Sequence, residues 1–272
     1  MNGISKGFDG IELKDYFIAY FDILGYRDRV ENKSDEEVKK FIYDIRGAIH
    51  LSKDMLRVFA EKENMQVNFK VFSDNFIFYT ENDYHALLMY TSVLQAALAL
   101  FEIFVRGVLC HGSMYCDKDF IAGEGLIKAY DLEVQEKNPR IIVDSSFASG
   151  VARTDKKKLV SVGNPNPCVT VTSVNNKLEE EGCVYKDDDG KLYLNYLNEI
   201  KQYKEIEKKS HQRKPDFIEI LQSHKDCVMN NIAENQIDES VLKKYLWCRN
   251  YHNRFCCDND FRDYMIAPPI FR

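Results

Sequence analysis

Residues Gln66 to Thr80 read Q-V-N-F-K-V-F-S-D-N-F-I-F-Y-T, and this stretch decides what kind of sheet the chain builds. Aromatic and β-branched residues fill both halves. Ser73, Asp74 and Asn75 are the turn-forming residues between them. Two strands joined by a tight turn are predicted, with Asp74 at the tip. Strands joined this way run antiparallel, so the sheet is not wholly parallel.

Upstream, Asp15 to Leu24 (D-Y-F-I-A-Y-F-D-I-L) is apolar on both faces and predicts a buried central strand. Asp22 lies near its C-terminal end and Gly25 stops it. Ser34-Asp35-Glu36-Glu37 has the form of a capping box, and apolar residues recur at Val38, Phe41, Ile42, Ile45 and Ile49. A helix to about Glu61 follows from that spacing. Downstream of the hairpin, the pattern predicts a helix over Tyr84–Phe104 and a strand over Arg106–Tyr115 containing Gly107 and Gly112. A short strand at Phe120–Ala122, a helix over Gly123–Gln135 and a strand over Pro139–Asp144 come next.

Strands and helices interleave, and the fold class expected is α/β (α+β): a mixed sheet flanked by helices. Residues 1–150 form the expected core. Residues 151–272 form a C-terminal extension packing on it. There, Lys156–Thr172 carries scattered β signals, and Asp187-Asp188-Asp189-Gly190 makes a turn between two short apolar segments. Asn198–Arg254 is helical and charged, with a break at Pro215.

Of the 272 residues, 45% are hydrophobic and 29% charged, the balance of a folded globular chain with ample core material. The net charge of −6 excludes a protein that mainly coats nucleic acid. No C-x-x-C occurs among the eight cysteines, so zinc-site spacing is missing and reduced thiols are expected. The first ten residues lack the basic and apolar regions of a signal peptide. The apolar run Leu87–Val105 contains Gln95 and Glu102 and reads as a buried helix, not a membrane span. A soluble, cytoplasmic protein without membrane contact is expected.

Two acidic residues hold special places. A carboxylate at the end of an apolar strand is costly without a cation, which singles out Asp22. When the hairpin packs beside the first strand, Asp74 shares its sheet edge. Hard oxygen ligands, few in number, suit Mg²⁺ or Mn²⁺ with positions left for phosphate oxygens. By position alone, however, a strand-end Asp commonly caps the next element, and Asp at a hairpin tip is ordinary turn chemistry. His111 reads as a core histidine, Cys256-Cys257 as incidental, Lys156–Lys158 as a solvated loop and Glu179–Glu181 as a solvated turn. Trp247 and Tyr251 read as core.

The blocks around the two aspartates resemble the class III nucleotidyl cyclases. Phe21-Asp22-Ile23-Leu24-Gly25-Tyr26 is similar to their F-D-I-x-G-F signature, and Lys70-Val71-Phe72-Ser73-Asp74 to the K-T-x-G-D hairpin, with Ser73 for Gly. Arg106 to Gly112 resembles the R-x-G-I-x-x-G strand, and Gly123 to Glu133 the G-x-x-V-N-x-A-x-R-L helix. All four come in order within residues 15–145. Together with Pro139-Arg140-Ile141-Ile142-Val143-Asp144, they resemble more narrowly the bacterial pyrimidine cyclases of the Pycsar antiphage systems.

The resemblance implies a cyclase-like, ferredoxin-like palm and a two-metal site. Asp22, Asp74 and the Ile23 carbonyl would hold two Mn²⁺ or Mg²⁺ ions. The backbone of Leu24, Gly25 and Tyr26 would lie against the triphosphate, and Lys70 and Arg106 would contact the nucleotide. The family's transition-state Asn and Arg fall on Ile127 and Asp131, and its purine-selecting Asp on Phe120; none of these can do that work. The departures point to a pyrimidine substrate, UTP before CTP. A single cyclase unit implies a homodimer, and a cyclic nucleotide product implies a separate sensing effector in antiphage defence. The alternative is a catalytically inactive nucleotide-binding or regulatory module. A diguanylate cyclase fits less well, because Phe72-Ser73-Asp74-Asn75-Phe76 stands where a G-G-D-E-F hairpin would be.

Overall fold

In the computed structural model, which describes residues 11–63, 66–162, 168–207 and 216–268, β1 (Lys14–Ile23) is the central strand. Helices α1 (Tyr26–Val30) and α2 (Asp35–Glu63) follow, then the hairpin β2 (Asn68–Phe72) and β3 (Asn75–Thr80). Next come α3 (Tyr84–Leu100), β4 (Val105–Cys116), β5 (Ile121–Ala122), α4 (Glu124–Gln135) and β6 (Ile141–Val143). The chain continues through α5 (Ser145–Ser161), α6 (Val171–Glu180), β7 (Val184–Lys186), β8 (Leu192–Leu194), α7 (Tyr196–Glu207), α8 (Phe217–Glu234) and α9 (Glu239–Asp258). The sheet order is β2-β3-β1-β4-β6-β8-β7, with β5 on β4. Only the β4–β6 pairing is parallel among the described strands. The expected mixed α/β sheet flanked by helices is therefore present.

Alternation along β1 explains its unbroken apolar run. Phe17, Ala19, Phe21 and Ile23 enter the core shared with α2, α3 and α5. Tyr16, Ile18 and Tyr20 face the other way and pack with α4 through Ala129, Leu126 and Leu132. Both faces are covered, so both must be apolar. Asp22 belongs by parity to the α4 face. Helix α4 can approach so closely because Gly112 and Gly125 meet backbone to backbone: a Cβ on Gly112 would lie 2.7 Å from the Gly125 Cα.

Helix α3 is buried nearly all round. Leu87, Leu94 and Leu98 join the sheet core, whereas Val93 and Ala96 join a second core with Leu197, Leu221 and Phe255 of the C-terminal helices. A buried helix is present as expected, though it ends at Leu100 and not at Phe104, and Val105 already belongs to β4; it is sandwiched between sheet and extension. Among the described residues no helix is long and apolar enough to cross a membrane.

Three expectations need correcting. The described residues of Lys156–Thr172 hold no strand: α5 runs through Ser161, capped by Asp144, whose carboxylate accepts from the Ser146 amide at 3.0 Å. Its buried face ends at Ala152, so the exposed half has no apolar period to reveal it. Lys156–Lys158 consequently sit on this helix, exposed, and not in a loop. Glu179 and Glu180 likewise end α6. Pro215 and the first ten residues lie outside the described residues.

The Asp187–Gly190 turn forms as expected, but Asp187 and Asp189 turn their carboxylates to a buried arginine. Arg140, 1% exposed, pairs with Glu136, Asp187 and Asp189, and the Trp247 indole donates to Asp187 at 2.8 Å. This ion cluster ties β6 to the β7–β8 hairpin and α9.

Candidate active site

Register brings the two aspartates together. Asp22 stands opposite Asn75 on β3 and opposite Arg106 on β4. One residue on, the Ile23 amide donates to the Asp74 carbonyl at 3.2 Å, stitching the hairpin tip to the end of β1. Phe21 and Phe76, paired across the strands, stack with ring centroids 5.2 Å apart and planes within 6°. Such cross-strand pairs contribute roughly 0.2–1 kcal/mol and resist slippage, and a slip by one residue would turn Asp22 to the opposite face.

Ser73 takes a left-handed conformation at φ 57°, where the resembling motif has Gly. Asp74 is half-buried, and its Oδ1 accepts from the Asn75 side-chain amide at 3.1 Å. Asn75 in turn accepts a short hydrogen bond from the Tyr20 hydroxyl. A Tyr20–Asn75–Asp74 chain thus orients the tip carboxylate. Burial, then the charges of Glu133 and Asp22, push the Tyr20 hydroxyl up to about 12, so it remains a donor at neutral pH.

Arg106 binds Asp22 through two N–H groups, Nε to Oδ1 at 3.1 Å and an Nη to Oδ2 at 3.2 Å. The side chains are 27% and 16% exposed. A further N–H donates to the Glu136 carbonyl at 3.1 Å. Glu133, 2% exposed, approaches the same nitrogen beside Asp22, with Oε1 2.7 Å from Arg106 Nε. The Nε–H is directed at Asp22, so Glu133 Oε1 gains the charge but no hydrogen bond. Burial first, then the charge of Asp22, push the Glu133 carboxyl up to about 7. The edge therefore holds three acids and one arginine.

The remaining expected positions are distributed unevenly. The Leu24 amide donates to the Phe104 carbonyl at 2.9 Å, so it is engaged by backbone. Gly25 has φ +71°, and a Cβ there would meet nothing within 4 Å, so the backbone before α1 stands open. Tyr26 packs its ring against Phe41. The Lys70 ammonium donates to the carbonyls of Asp117 and Lys118 at 3.2 and 2.9 Å, tying β2 to the loop before β5 and not to Asp22. Phe120 and Ile127 are 59% and 63% exposed, and Asp131 is exposed as well.

Glu133, Tyr20 and Asn75 are functional candidates that sequence reasoning missed. A signal existed for Glu133. It continues the buried stripe Gly125, Ala129, Glu133 at four-residue spacing, and a carboxylate in a buried stripe calls for a cation.

No family model matches the chain, and no curated protein matches it. Similar solved structures exist. A bacterial light-regulated adenylyl cyclase shares 13% identity over 52% of this chain and 46% of its own, with a TM-score of 0.39. The monomeric guanylyl cyclase domain of a RhoGC fusion protein from the aquatic fungus Blastocladiella emersonii shares 10% over 68% of this chain and 96% of its own, TM-score 0.40. A class III adenylyl cyclase-like ATP-binding protein from Pseudomonas aeruginosa shares 9% over 93% and 61%, TM-score 0.38. The chain thus spans less than half the length of the first of these. At such identities and scores the overlap says nothing of what this chain binds, and function has to be read from the sheet edge.

Proposed function

We propose that this chain is a nucleotidyl cyclase converting a pyrimidine nucleoside triphosphate, UTP before CTP, into the 3′,5′-cyclic nucleotide and pyrophosphate. The observation that carries this reading is the meeting of Asp22 and Asp74 at one sheet edge, stitched by the Ile23 amide on the Asp74 carbonyl at 3.2 Å. The donor set fits a hard divalent cation, because two carboxylates and the Ile23 carbonyl are all oxygen ligands. Among the described residues no group of three or more His, Cys, Asp or Glu is spaced to hold a metal. A cation here would therefore complete its shell with phosphate oxygens and water. Two Mn²⁺ or Mg²⁺ ions held by Asp22, Asp74 and Ile23 would lower the pKa of the ribose 3′-hydroxyl and neutralise the leaving pyrophosphate.

The chain's own groups arrange the rest. The Tyr20–Asn75 pair fixes the Asp74 carboxylate, and Glu133 adds a second carboxylate at the Arg106 Nε beside Asp22. Arg106 offers a planar fork suited to phosphate as well as to carboxylate. Gly25 lets the backbone approach a phosphate without a Cβ. Phe120, Ile127 and Asp131 replace the residues that serve purine cyclases, which favours a pyrimidine base. Ile127, Tyr130 and Val134 form an exposed apolar line along α4, 63%, 54% and 50% exposed, which supports a second copy of the chain as partner. In this reading residues 1–150 carry catalysis, residues 151–272 support them, and the cytoplasmic product acts on a separate cyclic-nucleotide-sensing effector in antiphage defence.

The test is incubation with each of the four NTPs and Mn²⁺, with products read by mass spectrometry. A cyclic UMP or cyclic CMP product that disappears in Asp22→Ala and in Asp74→Ala is expected. No product from any NTP, with nucleotide binding retained, would refute it. That outcome would favour the inactive nucleotide-binding module, which the exposed Ile127 and Asp131, lacking any phosphate donor, also fit.

A further inference from the structure

A cleft of about 1090 Å³ opens beside Arg106, between the turn after α4 and the corner joining α8 to α9. The first wall brings Lys137 and Asn138; the second brings Glu234, Asp238, Lys243 and Lys244. The charges in this cleft are unequal in availability. Asp238 caps α9, accepting from the amides of Ser240 and Val241 at 2.9 and 3.1 Å. Lys243 is paired with Glu239 at 2.7 Å. Among the described residues Lys137 and Lys244 form no ion pair, and neither does Glu234 on the second wall; the two lysines stand on opposite walls, with Arg106 between the site and the cleft. Among the described residues no aromatic side chain lines the cleft, so none of them stacks a base there.

We propose that this cleft holds the polyphosphate arm of the substrate, with Lys137 and Lys244 joining Arg106 as its cations. The identity of the ligand rests on the nucleotide reading above; the anion site itself rests on the unpaired lysines. Arg106 links the two places: its guanidinium binds Asp22, and the residue is part of the cleft lining. A triphosphate whose α-phosphate lies at Asp22 and Asp74 would extend past Arg106 into the cleft. The α8–α9 corner would then supply cationic charge that Ile127 and Asp131 cannot. The C-terminal extension thereby becomes part of the substrate site.

The experiment measures binding of inorganic tripolyphosphate and of orthophosphate to the metal-free full chain by isothermal calorimetry. It compares wild type, the double variant Lys137→Ala/Lys244→Ala and the control Lys156→Ala/Lys157→Ala, which removes the same charge from exposed positions on α5. Tripolyphosphate should bind more tightly than orthophosphate, and its Kd should rise about tenfold or more in the first double variant and stay unchanged in the control. Equal weakening in both double variants, or no change in the first, would overturn the proposal. Thermal melts of the variants exclude unfolding as the cause of a loss. If no NTP is cyclised yet lysine-dependent tripolyphosphate binding is found, the cyclase reading fails and the cleft stands. If cyclisation depends on Asp22 while Lys137→Ala/Lys244→Ala alters neither tripolyphosphate binding nor KM, the cleft fails and the cyclase reading stands.

Discussion

Replacing Glu133 by Gln should make the protein more stable at high pH and leave it little changed at low pH. Glu133 is 2% exposed, and burial followed by the charge of Asp22 raises its carboxyl to about 7. In the unfolded chain a glutamate titrates near ~4.3. The folded state thus holds the proton more tightly, so this group's contribution is most favourable at low pH and is lost as pH rises through about 7. A shift of that size corresponds to an order of 3 kcal/mol of penalty once the group is ionised, as above pH ~7.5. Gln mimics the protonated acid at every pH and keeps the shape. Urea unfolding of wild type and Glu133→Gln at pH 5 and pH 8 measures the difference directly. The variant should gain under about 1 kcal/mol at pH 5 and up to about 3 kcal/mol at pH 8. Asp22 keeps Arg106 neutralised in the variant through its two N–H contacts. A variant destabilised equally at both pH values would refute the reasoning, because Glu133 would then be an ordinary ionised partner of Arg106.

Ser73→Gly should stabilise by about 1 kcal/mol, since a non-glycine residue at φ 57° is strained there; the urea midpoint reports it. Arg140→Met would leave Glu136, Asp187 and Asp189 without their shared cation and should lose roughly 3–5 kcal/mol, with altered Trp247 fluorescence because the indole donates to Asp187. His224 and His252 stack in the interior, their Nδ1 atoms 3.0 Å apart, and burial holds both below the ordinary histidine range, His252 at about 4. The unfolded chain takes up those protons below pH ~6.5, so stability falls as pH drops, by up to ~1.4 kcal/mol per unit for each ring, and His252→Gln should flatten the slope of unfolding free energy between pH 6.5 and 4.5.

The sheet and the two aspartates were legible because their signals are local. The hairpin turn is confined by Ser73, Asp74 and Asn75, and the apolar run of β1 admits only a doubly covered strand. What escaped is relational. Asp187 and Asp189 read as turn residues, and nothing near them in the chain announces that Arg140, some 47 residues earlier, pairs with their carboxylates. Helix α5 was hidden because half of it faces solvent, and periodicity reports a helix only where packing uses it. Lys70 was readable as a nucleotide contact by its place in a motif, yet its ammonium is held by two loop carbonyls. Glu133 shows the reverse: its stripe position was visible, while its meaning depended on Arg106 arriving from another strand.

The charge balance of the sheet edge bears on how the site can be tested. An ionised Asp22 at the end of an apolar strand would be costly without a partner, and Arg106 provides one in the absence of any cation. Removing Asp22 does not orphan that arginine, because Glu133 remains 2.7 Å from its Nε. Nor does removing Asp74 leave a buried charge unpaired, since among the described residues its only side-chain bond is to the neutral Asn75 amide. Both alanine variants are therefore expected to fold, and a loss of product in either reports on chemistry at the edge. Arg106 is the opposite case. Its removal leaves Asp22 and Glu133 facing each other without a cation, so Arg106→Ala should lose stability as well as activity. Raising the pH should deepen that loss of stability, because the ionised form of Glu133 is then favoured in water and opposed by burial in the fold. A variant without Arg106 that unfolds at the same urea concentration as wild type at pH 8 would mean that the guanidinium is not what stabilises the edge.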